Sequence, residues 1–320
     1  MNSGIRLMRE GDLLQVNALL SRAFSQGRAD DGYFHTDVPM CRSEFLRMYL
    51  GQNPEGCYVY LENGRLLGAA FTHVWGKRGW FGPLAVAPER HLMGIGKHLV
   101  AACVAHLQKR GCTTIGLETN PRSNRNLGFY GRLSFLPSVL CIDMMRPVKT
   151  EPKGSGTPPH QIFIYSELSE ADRREFLKHV RNLVLWSDGD ADYTSLIVSA
   201  AHYGVGNGLL FFRGSTPIAF AALQTLPTLA EEQNSIMRLF AFAAHPQMPD
   251  NYLSLVLRDL IAFAQQHRFD RLLIRVPMHS GRLYRILLES QFRVVNADIR
   301  LVLEGFDEKP SRGVLIERWV

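Results

Sequence analysis

The chain has 320 residues, 46% of them hydrophobic and 21% charged, and carries a formal charge of +6. That length suits two domains, each large enough to bury a core, and the composition excludes a disordered polymer or a membrane bundle, since no apolar run approaches the span of a bilayer. The basic residues are dispersed rather than gathered in runs, which points away from nucleic acid and toward an anionic cofactor.

The start, Met-Asn-Ser-Gly-Ile-Arg, lacks the apolar core of a signal peptide, so a cytoplasmic protein is expected. The five cysteines, Cys41, Cys57, Cys103, Cys112 and Cys141, all fall in the first half without a C-x-x-C pair. They read as reduced, mostly buried thiols.

Residues 4–10 read as a short strand, and Asp12 is placed to cap a helix whose apolar positions Leu13, Leu14, Val16, Leu19, Leu20 and Phe24 recur at helical spacing. The polar segment 25–39 reads as a loop. Phe45, Leu46, Met48, Tyr49 and Leu50 predict a second helix ending near Gly51. Segments 57–61 and 66–75 are strands joined by a tight turn at Asn63-Gly64, and 80–86 is a third, with Trp75 and Trp80 packing across the pair.

The run Leu84, Ala85, Val86, Ala87 is bounded by Pro88 and suits a buried strand end; Gly94 and Gly96 then open an amphipathic helix reaching about Arg110. A helix N-terminus presents free N–H groups and partial positive charge, and glycines there let the backbone approach an anion. This strand, loop and helix can therefore hold a pyrophosphate with main-chain donors alone. Leu99, Val100, Cys103, Val104 and Leu107 form the helix's apolar stripe, and Gly111 stops it. The next strand, 113–119, ends in Glu118-Thr119-Asn120-Pro121. Ser123-Asn124 opens a helix containing Phe129-Tyr130, followed by Leu133-Ser134-Phe135. Residues 147–160, with four prolines and two glycines, read as a linker.

Beyond the linker the order of elements repeats, with strands at 162–165, 209–213, 218–225, 237–243 and 271–276 and helices at 172–185 and 252–267. Pro246 stands where Pro88 stood. In this register Tyr252 and Ser254 replace Gly94 and Gly96, and Leu287 falls where Tyr130 stood, so the second half keeps the scaffold without the loop. Tyr284, a turn before Leu287, reads as a packing residue. The acidic stretch Asp188, Asp190, Asp192 reads as a solvated loop, with capture of an amine as the sharper alternative. No metal-ligand spacing occurs.

His91-x-x-Gly94-x-Gly96, following a strand, resembles motif A of the GCN5-related N-acetyltransferase (GNAT) superfamily, in which Gln or Arg stands at the place of His91. Phe129-Tyr130-x-x-Leu133-x-Phe135 resembles motif B. Ser134 there replaces a usual Gly, and Ser123 stands seven residues before the tyrosine where Asn is common, with Asn124 one step later.

The resemblance implies an α/β fold class, an α+β mixed sheet in two tandem GNAT-like domains. Residues 1–146 would be catalytic, 147–160 the linker and 161–320 a degenerate copy. It implies acetyl-CoA as co-substrate, with Leu84, Ala85 and Val86 pairing the pantetheine arm. His91, Leu92, Met93, Gly94, Ile95, Gly96 and Lys97 would surround the pyrophosphate, and Asn124 would lie beside the cofactor. A main-chain N–H near Ala85 or Val86 would polarise the thioester carbonyl, Tyr130 would protonate the departing thiolate, and Glu118 would be the base. The implied reaction is acetyl transfer to a primary amine of a small molecule by direct attack. A protein amine as acceptor and a non-catalytic acyl-CoA-binding or scaffold protein are the alternatives; a homodimer is one assembly open to the chain.

Overall fold

Asn63 and Gly64 both adopt positive φ, 51° and 78°, the conformation that matches the twist of a two-residue hairpin. They join β2 (Tyr58–Glu62) to β3 (Arg65–Trp75), which is followed by β4 (Arg78–Val86), while β1 (Ser3–Leu7) pairs with β2 at the edge. The computed structural model describes residues 3–148, 160–229, 235–309 and 311–319. Alternation along β3 separates its two faces. A Cβ at Gly68 would stand 2.8 Å from Leu99 of α3 (Ile95–Lys109), whereas Phe71 and His73 meet Tyr49 of α2 (Ser43–Gln52) at 5.8 and 4.8 Å between ring centroids. Thus α3 covers one face, and α2 with α1 (Leu13–Asp30) covers the other.

Two local expectations are corrected. Helix α1 runs to Asp30, six residues into the expected loop, because Gln, Arg and Ala there favour helix and Gln26 reaches Asp30 at 2.8 Å; the chain turns only at Gly32, φ 74°. Asp12 makes no side-chain cap for α1; its carboxylate is held by Arg6 at 2.7 Å and by the Arg9 N–H.

After α3 come β5 (Thr114–Thr119), α4 (Asn124–Gly131) and the long β6 (Phe135–Pro147). The second half supplies β7 (Gln161–Ile164), α5 (Glu170–Ser187), α6 (Thr194–His202), β8 (Gly206–Arg213), β9 (Thr216–Gln224), β10 (Ile236–Ala244) and α7 (Asp250–Gln266). It closes with β11 (Arg271–Pro277), α8 (Gly281–Glu289), β12 (Arg293–Leu303) and β13 (Val314–Glu317). Of the expected linker, 149–159 lie outside the described residues; Val148 still donates to the Asp270 carbonyl at 2.7 Å.

Among the described residues all thirteen strands form one sheet, in which β12 lies between β5 and β6, and β6 lies between β12 and β11. Each half therefore gives its closing strand to the other. Buried charges cross this exchange. Arg275 of β11 grips Asp143 of β6 at 2.8 Å through two nitrogens, Asp298 of β12 at 2.5 Å, and Glu118 of β5. Arg300 of β12 bonds Glu118 at 2.9 Å and Glu308 at 2.6 Å; Arg78 of β4 meets Glu317 at 2.5 Å, Glu308 at 3.1 Å, and Asp188. Burial alone would raise the Asp143 carboxyl, but the Arg275 guanidinium overrides it and holds it below the usual carboxylate range.

His73 is 2% exposed, stacks on Trp80 at 3.9 Å and bonds the Gly82 carbonyl through Nε2 at 2.8 Å. Burial lowers its pKa from 6.5 to about 4, so it stays neutral in the fold. Between those values the unfolded chain binds a proton that the native protein refuses. Stability is therefore lost as pH falls from about 6.5 toward 4, by roughly 3 kcal/mol in all. His73→Phe should flatten that slope in denaturant melts at pH 7 and pH 4.5; an unchanged slope would mean that His73 protonates within the fold.

Candidate active site

Strands β4 and β5 pair in parallel only from Arg78 to Trp80 against Thr114 to Gly116. Beyond that point β5 follows β12, while β4 stays with β3 through Ala70–Leu84, Ala69–Ala85 and Gly68–Val86. The sheet consequently splays, and the β4 edge facing β5 has no strand partner among the described residues. A bulge sets Gly82 and Pro83 against the single residue Phe71 at the start of the splay. The Ala87 N–H donates to Leu67 of β3 at 2.8 Å; alternation then turns Ala85 toward β3 and the main-chain groups of Leu84 and Val86 toward the opening. Of the two N–H positions expected to face a thioester, Val86 is the one on the open side.

The open edge runs into the loop before α3. Gly94 sits at φ 81°, where side chains are strained, and no side chain caps the helix. The first N–H groups of α3, beginning with Ile95, Gly96 and Lys97, have no intrahelical partner; Leu92, Met93, Gly94 and Lys97 are exposed. Gly96 is small for a second reason: a Cβ there would stand 3.2 Å from Cζ of Phe129, so glycine lets α4 approach α3. His91 is half-buried, its Nδ1 3.5 Å from Arg125. Asn124 is exposed at the first turn of α4. Ser123, beside it, is fully buried.

Tyr130, 8% exposed, packs among Phe81 on the splayed part of β4 at 6.1 Å, Phe129 at 4.9 Å and Phe135 at 6.1 Å. Burial pushes its phenol well above the ordinary value, so it remains a protonated donor at neutral pH. Glu118 is placed otherwise than a base requires. Its side chain is 3% exposed, and each carboxylate oxygen is taken by a guanidinium, Arg275 at one and Arg300 at the other. A carboxylate held in this way is a partner in the ion network rather than a proton acceptor facing a substrate. The acidic stretch is neither a solvated loop nor a free amine site. Asp188 is paired with Arg78, Asp190 bonds Lys309 at 3.0 Å and Asp192 caps Thr194 at 2.9 Å.

Sequence reasoning missed Tyr33, which crosses the end of β5: its hydroxyl accepts from Asn120 at 2.5 Å, and Arg122 lies 4.7 Å over its ring. Neither residue carries a local signal for that contact.

The second half repeats the geometry and then closes it. Strands β10 and β11 pair in parallel only from Ile236 to Arg238 against Arg271 to Leu273. The gap that follows is filled by β13, which pairs antiparallel with Ala241 to Ala244. Helix α7 starts at Asp250 without a positive-φ glycine, and the Asp250 carboxylate, paired with Arg282 at 2.5 Å, stands where an anion would approach. Leu287 is fully buried on α8.

A model of the acetyltransferase (GNAT) family matches residues 15–135. Residues 15–135 thus carry the signature of a GNAT domain. N-alpha-acetyltransferase 30 of Schizosaccharomyces pombe (strain 972) is 32% identical over 94 residues, which are 28% of this chain and 63% of that protein; the match spans less than two thirds of that relative. A GCN5-related N-acetyltransferase from Sphaerobacter thermophilus is 14% identical with a TM-score of 0.62, covering 98% of both chains. A tandem GNAT protein from the clavulanic acid biosynthesis pathway is 11% identical with a TM-score of 0.63, covering 96% of this chain and 100% of that one. At those identities the likeness is one of fold, and it extends over both halves. The two-part fold therefore consists of one half with an open splay and glycine loop and a second half whose splay is filled by its own last strand.

Proposed function

We propose that the protein is an acetyl-CoA-dependent N-acetyltransferase that transfers an acetyl group to a primary amine of a small molecule by direct attack. One observation carries this reading: the unpaired β4 edge leads into the uncapped, glycine-opened N-terminus of α3 beside Tyr130, while the same gap in the second half is plugged. That plug is an extended backbone hydrogen-bonded along β10, which supports the view that the open edge suits the amides of a pantetheine arm.

Leu84 and Val86 would hold that arm by main-chain groups, and the Gly94–Lys97 N–H groups would hold the pyrophosphate. Acetyl-CoA would supply a thioester that an amine can open without an enzyme nucleophile. The Val86 N–H, fixed in the strand, would stabilise the oxyanion, an effect of about 3 kcal/mol in comparable sites. Tyr130 would give its proton to the leaving sulfur. Since Glu118 is committed to two guanidiniums, the ammonium proton would leave to water at the open end of the splay.

Calorimetric titration of acetyl-CoA should reveal one site per chain. No binding at millimolar ligand would overturn the reading, and two sites would show that the second half is not shut. Tyr130→Phe should lower kcat about a hundredfold or more with the titration unchanged; an unchanged kcat would remove Tyr130 as the acid. The relative from Schizosaccharomyces pombe, by its name an N-alpha-acetyltransferase, favours a second reading in which the acceptor is a protein or peptide amine. Thiol release with small amines against peptides bearing a free N-terminus separates the two.

A further inference from the structure

On the face of β3 and β4 opposite α3, a cavity of about 170 Å3 lies between α1 and α2. Its wall is almost all carbon, formed by Leu20 and Phe24 of α1, Phe45 of α2, Cys41, Pro83 and Leu229. An apolar cavity of about 150 Å3 is large enough to hold a benzene ring. Three of the polar side chains around it are already engaged by the protein. Asn17 donates to the Cys41 carbonyl at 2.7 Å and accepts its N–H at 3.0 Å, Ser21 donates to the Val38 carbonyl at 2.6 Å, and Thr228 accepts from Gln224 at 2.7 Å. A ligand entering it would be recognised mainly by shape and burial.

Two further facts select the occupant. Pro83 is both a wall of the cavity and the residue before Leu84, where the splayed edge begins. The glycine loop and α3 lie across the sheet, so the acyl carrier would come from that side and the cavity faces the acceptor. The second half forms the lip: Leu229 bridges Cys41, and the Arg42 N–H donates to the Thr228 carbonyl at 2.9 Å.

We infer that this cavity receives an apolar substituent of the acceptor amine, about phenyl-sized, and that the plugged half contributes to acceptor choice through Leu229. The inference rests on the acetyltransferase reading, and its test separates the two. Thiol release from acetyl-CoA should give a kcat/KM at least about tenfold higher with 2-phenylethylamine than with ethylamine. Leu229→Trp, which fills the cavity, should bring that ratio near one, and Phe24→Ala, which widens it, should shift preference toward a naphthyl amine. Equal turnover of the two amines, or a ratio that survives Leu229→Trp, would overturn the inference while leaving the enzyme intact. Faster turnover of hexanoyl-CoA than of acetyl-CoA with ethylamine would also overturn it, by assigning the cavity to the acyl chain.

If no amine is acetylated, the acetyltransferase reading fails and the cavity is tested by binding. Cys41 is partly exposed while the other four cysteines are buried, so it reports on occupancy. 2-Phenylethylamine should slow its maleimide labelling several-fold in the wild type and not in Leu229→Trp. Absence of protection would overturn the inference.

Discussion

Replacing Gly94 with valine will abolish the calorimetric signal for acetyl-CoA, a loss of at least about a hundredfold in affinity, or roughly 2.7 kcal/mol. At φ 81° a β-branched residue is an outlier that costs about 1–2 kcal/mol or more, and relief of that strain swings the following N–H groups away from a common centre. The fold should survive, because a Cβ at Gly94 meets nothing nearer than His98 at 3.9 Å and the loop is exposed. Loss of binding with little change in the unfolding midpoint is thus the expected pair of results. Unaltered affinity would show that the ligand does not use this loop. Gly96→Val is a different case. It presses on Phe129, the neighbour of Tyr130, so turnover should fall along with binding.

The second large effect lies in the ion network. Arg300 is fully buried and holds Glu118, Glu308 and the Glu317 carbonyl. Arg300→Leu leaves Glu118 and Glu308 without one of their cations. Removing one member of a buried ion group typically costs about 3–5 kcal/mol, which should appear as a lower denaturant midpoint at neutral pH. Because β6 and β12 are exchanged between the halves, both halves should unfold in the same transition. A loss under about 1 kcal/mol, or two separated transitions, would refute this account. Glu118→Gln should act in the same way, lowering stability without moving the pH profile of kcat; a profile that moved would restore Glu118 as the base.

Features that depend on neighbouring residues were legible without coordinates. Asn63-Gly64 makes its turn, Gly94 takes the left-handed conformation, and Gly111 at φ 72° ends α3, because glycine and asparagine carry their backbone preferences wherever they stand. The spacing from Pro88 to Pro246 pointed to the repeat of elements, and Tyr252 and Ser254 in place of glycines match an α7 that starts without a positive-φ glycine. Helix α6 and the four-residue β13 gave no such signal, being short and apolar.

What the sequence by itself determined is the strand, glycine loop and helix of the first half and the absence of such a glycine loop from the second. Only the tertiary structure decided the rest. Glu118 stands on its strand as expected, yet its role follows from Arg275 and Arg300, 157 and 182 residues away. The plug in the second splay depends on β13 meeting β10, and the cavity between α1 and α2 on Leu229 meeting Cys41. Periodicity and turn chemistry record what a residue does to its own backbone; which distant backbone or charge it meets is set by how strands order themselves in the sheet, and no local pattern encodes that order.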